Sequence, residues 1–219
     1  MIQITREPVL AGQNIPFGLV EVVYPGREGW READFRALAE EELAALGARF
    51  ADYDRKAAFG ENPYYRFFRK FKKTYPVMLQ MESVLFKGRP FPLDNPVTAV
   101  AFLLELTTQI LSGTHDVDRL AGPVELFLGT EKAPFPGLRG EEFHTYPGDF
   151  CGRDPEGIIF SEIAGADART CARPESRHVF YPVFGTPGLE EAVLTGAMER
   201  LARYARVLAP EAAVETALV

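Results

Sequence analysis

The chain has 219 residues, of which 47% are hydrophobic, and this content is enough to fill the core of one sizeable domain. Charged residues make up 25%, the ordinary figure for a globular protein, so the composition does not indicate disorder. The net charge is −7, and most of the surface should therefore repel phosphate backbones. The longest apolar run, residues 97–111, is too short to span a bilayer, and the first ten residues contain no apolar signal core, so we expect a cytoplasmic protein with no membrane partner.

The N-terminal part, residues 1–61, contains one predicted strand and one predicted helix. Residues 17–24 (FGLVEVVY) form a Val-rich run that ends at a Pro-Gly turn, which is typical of a strand. In residues 31–50 the apolar side chains recur at roughly helical spacing and the opposite face is rich in Glu, which predicts an amphipathic helix.

A basic and aromatic segment follows, and its pattern predicts an amphipathic helix that begins at Pro63, with Asn62 as its cap. The aromatic face carries Tyr64, Phe67, Phe68, Phe71 and Tyr75. The basic face carries Arg66, Arg69, Lys70, Lys72 and Lys73.

Two interpretations of this segment stay open. A core helix with a solvated basic face is the simpler one, because burying each ring stabilises the fold by about 1.5–3 kcal/mol, more than a surface charge contributes. A contact with RNA is favoured by the absence of any acidic residue between Glu61 and Glu82. In that case the RNA-binding residues are Arg66, Arg69, Lys70 and Lys73.

The remaining elements change from helical to strand periodicity along the chain. Residues 75–88 predict a helix that ends at Gly88, and residues 97–113 predict a helix that is apolar on nearly all sides. Three short runs separated by Gly and Pro predict strands, and a last helix follows. The runs are residues 123–129, 157–165 and 177–185, and the helix is 189–208. Since no repeat or linker interrupts the chain, residues 1–219 are expected to form a single domain.

Glu105 lies in the least polar of these helices. A buried carboxylate without partners costs several kcal/mol, so this residue must be paired, protonated or at a cavity wall. Gln109 lies one turn later on the same face and could share the site. A structural carboxylate that accepts from loop amides and a pocket residue with a shifted pKa are both open interpretations.

His115, Asp116 and Asp118 follow the end of that helix. One His and two carboxylates can form a metal site or a general base, but the two acids are also good caps for a turn, and no second His has ligand spacing. The two cysteines, Cys151 and Cys171, do not form a metal or redox motif. We therefore expect no cofactor and no metal, and we retain His115 as a candidate catalytic residue.

The loop of residues 161–170 (SEIAGADART) is rich in small residues. Ala164 and Gly165 allow a ligand or another backbone to approach closely, and Asp167 and Arg169 bracket them. The loop is either a local Asp–Arg turn or a pocket wall that exposes backbone N–H groups. In the second case Ser161 and Glu162 also belong to the wall.

In the order and spacing of its segments, the chain resembles the B3/B4 editing domain of the phenylalanyl-tRNA synthetase β chain, as a free-standing member. The resemblance covers residues 62–185. Its segments are ENPYYRFFRKFKK, SVLFKGRPFPLDNPV, HDVDRLAGPVELFL, GEEFH, PEGIIFSEIAG and RHVFYPVFG.

The resemblance implies an α+β fold, a three-layer β/β/α sandwich with a pocket between the layers. The last residues, 186–219, lie outside the resemblance and are expected from their apolar spacing to pack as a helix on the core. In the synthetase this pocket receives a mischarged tyrosine on the tRNA 3′ end and hydrolyses its ester. Ala164 and Gly165 match the Ala-Gly wall of the family's pocket. Ala99 and Phe102 replace an Asp and an Asn of the family's helix, and Glu105 replaces a Ser.

Two classes of function follow. The first is a hydrolase that clears misacylated aminoacyl-tRNA, with Glu105 or His115 assisting a water. The second is a module that binds tRNA or an amino-acid-like ligand without chemistry. In either class the expected ligand-binding residues are Phe102, Gln109, Ser161, Glu162, Ala164, Gly165, Asp167 and Arg169.

Overall fold

Two β-sheets and a layer of helices build the molecule, as described by a computed structural model that covers residues 1–219. The helices are α1 (Glu32–Arg49), α2 (Arg55–Phe59), α3 (Pro63–Lys70), α4 (Pro76–Leu85), α5 (Pro96–Thr108) and α6 (Glu191–Leu208). The strands are β1 (Ile4–Arg6), β2 (Phe17–Val23), β3 (His115–Asp116), β4 (Val124–Leu128), β5 (Pro134–Pro136), β6 (Glu142–His144), β7 (Phe150–Asp154), β8 (Gly157–Ser161), β9 (Gly165–Ala166), β10 (His178–Phe184) and β11 (Ala213–Leu218).

The layers follow the order that the resemblance implied. One sheet has the strand order β1-β4-β7-β8-β9, the second has β11-β2-β10-β3, and β5 and β6 form a separate hairpin. The sheets meet through aromatic contacts, since the ring of Phe17 lies 5.8 Å from that of Phe150 and 6.2 Å from that of Phe160. On its other face the second sheet carries α6, and α5 packs on α6. The fold is therefore the predicted α+β, β/β/α arrangement.

Strand β2 explains why the run at residues 17–24 does not alternate between apolar and polar. It lies between β10 and β11 and is covered by a layer on each face, so all of its residues except the last, Val23, are buried. Glu21 is the polar exception, and it accepts a hydrogen bond from the backbone N–H of Ile2 and lies 2.8 Å from Nε2 of His178.

The basic and aromatic helix is shorter than predicted. Asn62 caps it as expected, because its side chain accepts from the N–H of Tyr65, but α3 ends at Lys70. Lys72 has a φ of +57°, a left-handed conformation that turns the chain toward α4, and Tyr75 is the N-cap of that helix. Tyr75 still packs on the aromatic face, because the turn stacks its ring on Tyr64 at 5.4 Å.

Several elements were not predicted from the sequence. The N-terminal part contains β1 and α2 in addition to the predicted strand and helix, and β7 and β11 have no clear sequence signal. One cluster of 50 buried hydrophobic side chains extends from Leu10 to Ala212 and connects the terminal parts to the middle of the chain. None of the helices combines the length and apolar character that crossing a membrane requires.

Candidate functional site

A cavity of about 530 Å³ lies where α4 and α5 meet residues of both sheets. Its walls combine four phenylalanine rings with a small number of polar groups. The rings are Phe68, Phe102, Phe160 and Phe184, and the buried polar groups include Glu105, His115, Ser161 and Glu162. Ala164 and Gly165 also line it, and Gly165 has a φ of +114°, which favours glycine. A mostly apolar cavity of this size with a few polar groups is typical of a small-ligand site.

Glu105 both fixes a loop and faces the cavity. Its Oε1 accepts a hydrogen bond of 2.9 Å from the N–H of Ser112, which holds the loop after α5. Burial disfavours the charged form and raises the pKa of Glu105 to about 8, despite the hydrogen bonds from Ser112. At neutral pH the side chain is therefore mostly the protonated acid. Glu105 is thus both a structural residue that accepts from a loop amide and a pocket residue with a shifted pKa, so the two interpretations that the sequence left open both apply.

His115 presents one unpartnered ring nitrogen. Its Nδ1 lies 2.8 Å from Oγ1 of Thr170, and that hydroxyl donates to Oδ1 of Asp167. Because the Thr170 hydrogen is used on Asp167, the hydrogen between Thr170 and His115 belongs to Nδ1, and Nε2 is left as an acceptor. Nε2 is buried without a partner. Burial lowers the pKa of His115 to about 3, so the ring is neutral.

Glu162 is a second buried carboxyl group in the wall. It is 3% exposed, and neither of its side-chain oxygens has a hydrogen-bond partner. Burial, together with the nearby carboxylate of Asp149, raises the pKa of Glu162 well above its usual range. Asp149 is held behind the wall by the hydroxyl of Ser161 and the N–H of Ile163.

The loop between β8 and β9 does not offer the backbone donors that the sequence suggested. The N–H of Glu162 donates to the carbonyl of Phe150 at 2.9 Å, and the N–H of Ile163 donates to Asp149 at 3.3 Å. The N–H of Ala164 donates to Oγ of Ser161 at 2.8 Å. These three groups are used within the protein, so the expectation of a wall with free N–H groups is wrong for them.

Three predicted ligand-binding residues do not line the cavity. Gln109 closes α5 in a left-handed conformation with a φ of +59°, which removes it from the cavity wall that contains Glu105. Arg169 forms an ion pair with Asp154 at 2.6 Å. Asp167 lies behind His115, where it accepts from the hydroxyl and N–H of Thr170. Asp167 is therefore connected to the cavity only through Thr170 and His115, and it makes no ligand contact.

The acids next to His115 have separate structural partners. Asp116 accepts from the N–H of Asp118 and from the hydroxyl of Ser176. Asp118 is exposed and lies 3.7 Å from Nδ1 of His178. The three side chains therefore do not converge. Asp116 caps the turn that follows it, as the capping interpretation predicted, whereas the side chain of Asp118 accepts no capping hydrogen bond.

The exposed edge of the cavity carries Lys73, Thr74 and Leu138. The ring of Tyr146 lies beside this edge. Nζ of Lys73 is 5.3 Å from the ring centre, and Nζ of Lys132 is 5.7 Å from it. We call Lys73, Lys132 and Tyr146 the rim patch. The sequence pattern missed Tyr146 and Lys132, because only the tertiary fold brings these residues, which flank the β5–β6 hairpin, next to Lys73.

The predicted RNA-binding residues of α3 differ in how free their charges are. Arg69 and Lys70 are exposed and contact the rings of Tyr65 and Phe67 on their own helix. Arg66 forms an ion pair with Glu61, which partly neutralises it. The absence of acids between Glu61 and Glu82 therefore does not leave every cation of α3 unpaired.

Comparisons with known proteins agree with the fold. No protein-family model matches the chain. The phenylalanine–tRNA ligase beta subunit of Mycoplasma genitalium is 33% identical over 69 residues, which is 32% of this chain and 9% of that protein. An N-terminal fragment of the phenylalanyl-tRNA synthetase beta-subunit from Pyrococcus horikoshii superposes with a TM-score of 0.50 and 10% identity, over 97% of this chain and 50% of that one. The chain spans about half of the solved structure and a small part of the curated relative.

Proposed function

We propose that this protein, as a single domain of residues 1–219, binds the aminoacylated 3′ end of a tRNA and hydrolyses the ester. The observation that carries the proposal is the cavity itself, in which a protonated carboxyl group and an unpartnered imidazole nitrogen lie in an apolar wall beside exposed cations. The similarity to parts of phenylalanyl-tRNA synthetase β chains supports a tRNA-related ligand.

The rim patch and the free cations of α3 are suited to the tRNA backbone. The protein is acidic as a whole, so phosphates are attracted only where cations cluster. Lys73 belongs both to the cavity edge and to the rim patch, which would bring the 3′ end to the cavity. Tyr146 offers a ring on which an unpaired base can stack, a contact worth about 1–3 kcal/mol per base.

In the cavity, water attacks the ester carbonyl, the acyl–oxygen bond breaks, and one proton of that water passes to the leaving 3′-oxygen. The products are the free amino acid and the 3′-hydroxyl. Nε2 of His115 accepts a hydrogen bond from the attacking water and orients it. Its low pKa makes it a weak base, so it positions the water and does not hold a full proton. Protonated Glu105 donates to the oxygen that becomes negative, an effect typically worth about 10²–10⁴ in rate.

A binding module without chemistry is the second candidate. It is favoured by the use of the loop N–H groups within the protein and by the apolar Ala99 and Phe102 at positions where the family has polar residues. Incubating the protein with a panel of misacylated tRNAs and following the loss of the ester separates the two. Accelerated loss for at least one tRNA supports the hydrolase. If the protein binds the tRNAs but the ester is lost only at its spontaneous rate, the result supports the binding module.

A further inference from the structure

The buried polar groups of the cavity wall that lack a hydrogen-bond partner are all acceptors, and none of them carries a positive charge. Glu162 has two free side-chain oxygens, and His115 has a free acceptor nitrogen. Lys73 is the one basic side chain among the lining residues, and it is exposed at the edge, with its ammonium group over the ring of Tyr146. No donor of the protein, charged or neutral, forms a hydrogen bond with either side-chain oxygen of Glu162. The buried part of the wall therefore lacks a positive charge.

Burying a carboxyl group without any hydrogen bond is costly, and each free oxygen is a place for a donor from outside the protein. The phenylalanine rings around the cavity add a second feature in the same direction, because the face of an aromatic ring attracts a cation. A ligand with an ammonium group would supply both the missing donors and the missing charge.

We propose that Glu162 binds the ammonium group of the ligand that enters this cavity, and that it releases its own proton to the solvent to form a carboxylate–ammonium pair. For an aminoacyl ester, the group bound would be the α-ammonium. The identification of the α-ammonium rests on the proposed function. The preference for an ammonium group rests only on the unpartnered carboxyl group and the aromatic rings of the cavity wall.

Proton release makes the binding depend on pH. The groups that surround Glu162 favour its neutral form in the absence of ligand, since burial and Asp149 both raise its pKa. An ammonium ligand must therefore compete with this proton, and its affinity rises with pH until the amine itself loses its charge. The other titratable groups of the surroundings are Tyr64, Tyr75, Glu105, His115, Lys73, Cys151 and Cys171.

Calorimetric titration with four amino-acid amides tests the proposal without an ester or a tRNA. The ligands are L-alaninamide, L-leucinamide, L-phenylalaninamide and L-tyrosinamide, each compared with its N-acetyl counterpart. At pH 6, in two buffers of different ionisation enthalpy, we expect at least one amide to bind with a net release of protons. We expect its N-acetyl counterpart to bind at least about tenfold more weakly.

Glu162→Gln is the matched variant, because glutamine is neutral and nearly the same size, and Glu199→Gln on the exposed face of α6 is the control. We expect the first to lose the proton release and the preference for the free amine, and the second to keep both. Binding of none of the four amides, equal binding of the N-acetyl forms, or binding without proton release in the wild type would each overturn the proposal. The wild-type comparison decides even if Glu162→Gln folds poorly.

Hydrolysis of the ester in N-acetylated and free aminoacyl-tRNA separates this proposal from the proposed function. Equal hydrolysis of both would reject the role of Glu162 and leave the hydrolase intact. Binding of the amides that depends on Glu162, with no hydrolysis of either tRNA, would reject the hydrolase and leave the ammonium site intact.

Discussion

Oγ1 of Thr170 lies 2.8 Å from Nδ1 of His115, and this contact decides which ring nitrogen is left for the cavity. Thr170 is itself held by Asp167, so a carboxylate outside the cavity wall fixes the tautomer of a histidine inside it. The arrangement gives Thr170 a testable positioning role.

Replacing Thr170 with valine removes the hydroxyl and keeps the shape. His115 then loses its Nδ1 partner and both tautomers become accessible, so we expect single-turnover hydrolysis to fall by roughly tenfold while the affinity for uncharged tRNA is unchanged. Thr170→Ser should restore most of the rate. A rate equally low in both variants would show that Thr170 acts only through packing.

The raised pKa of Glu105 predicts a pH dependence of stability. Its value in the folded protein, about 8, exceeds the ordinary 4.5, so the folded state binds the proton more tightly. Stability from this group is therefore fully present below about pH 4.5 and is lost as the pH rises through 8. The difference in unfolding free energy between wild type and Glu105→Gln should change by up to roughly 1.4 kcal/mol per pH unit in this window. Urea unfolding from pH 5 to 9 measures it, and a constant difference would contradict the assigned pKa.

The rim patch predicts the salt dependence of tRNA binding. Each phosphate contact contributes roughly 0.7–0.9 to the slope of log affinity against log salt concentration. Reversing Lys73 and Lys132 to glutamate should weaken binding and flatten the slope by about 2. Arg66→Glu should have a smaller effect, because Glu61 already neutralises Arg66.

Arg206→Glu, on the exposed side of α6, is the control for the rim patch. Equal slopes for this variant and the double lysine variant would show that the rim patch does not contact the tRNA backbone.

The spacing of apolar residues, together with the resemblance, was sufficient to predict the layers of the fold and much of the cavity wall. The stripe of Tyr64, Phe67 and Phe68 and the apolar run around Glu105 depend on local spacing, and they are buried as predicted. The placement of Ala164 and Gly165 in the wall came from the resemblance and from their small size.

The features that could not be predicted from the sequence depend on contacts between residues that are distant in the chain, or on the local backbone conformation. Thr170 has no signal of its own, and it matters because β3 brings His115 beside it. Arg169 is a residue type that often binds ligands, but here its guanidinium group pairs with Asp154, fifteen residues away. Likewise, the turn at Lys72 depends on a backbone conformation that lysine does not signal.

The central claim is that the carboxyl group of Glu105 takes part in hydrolysis within the cavity. Glu105→Gln keeps a donor for the ester oxygen that becomes negative and an acceptor for the N–H of Ser112, so it is the control. Single-turnover hydrolysis of a misacylated tRNA at pH 7 by Glu105→Leu, which has no donor, tests the claim. We predict a rate about 10²-fold or more below the wild type, with unchanged affinity for uncharged tRNA. A rate equal to that of the wild type would contradict the account.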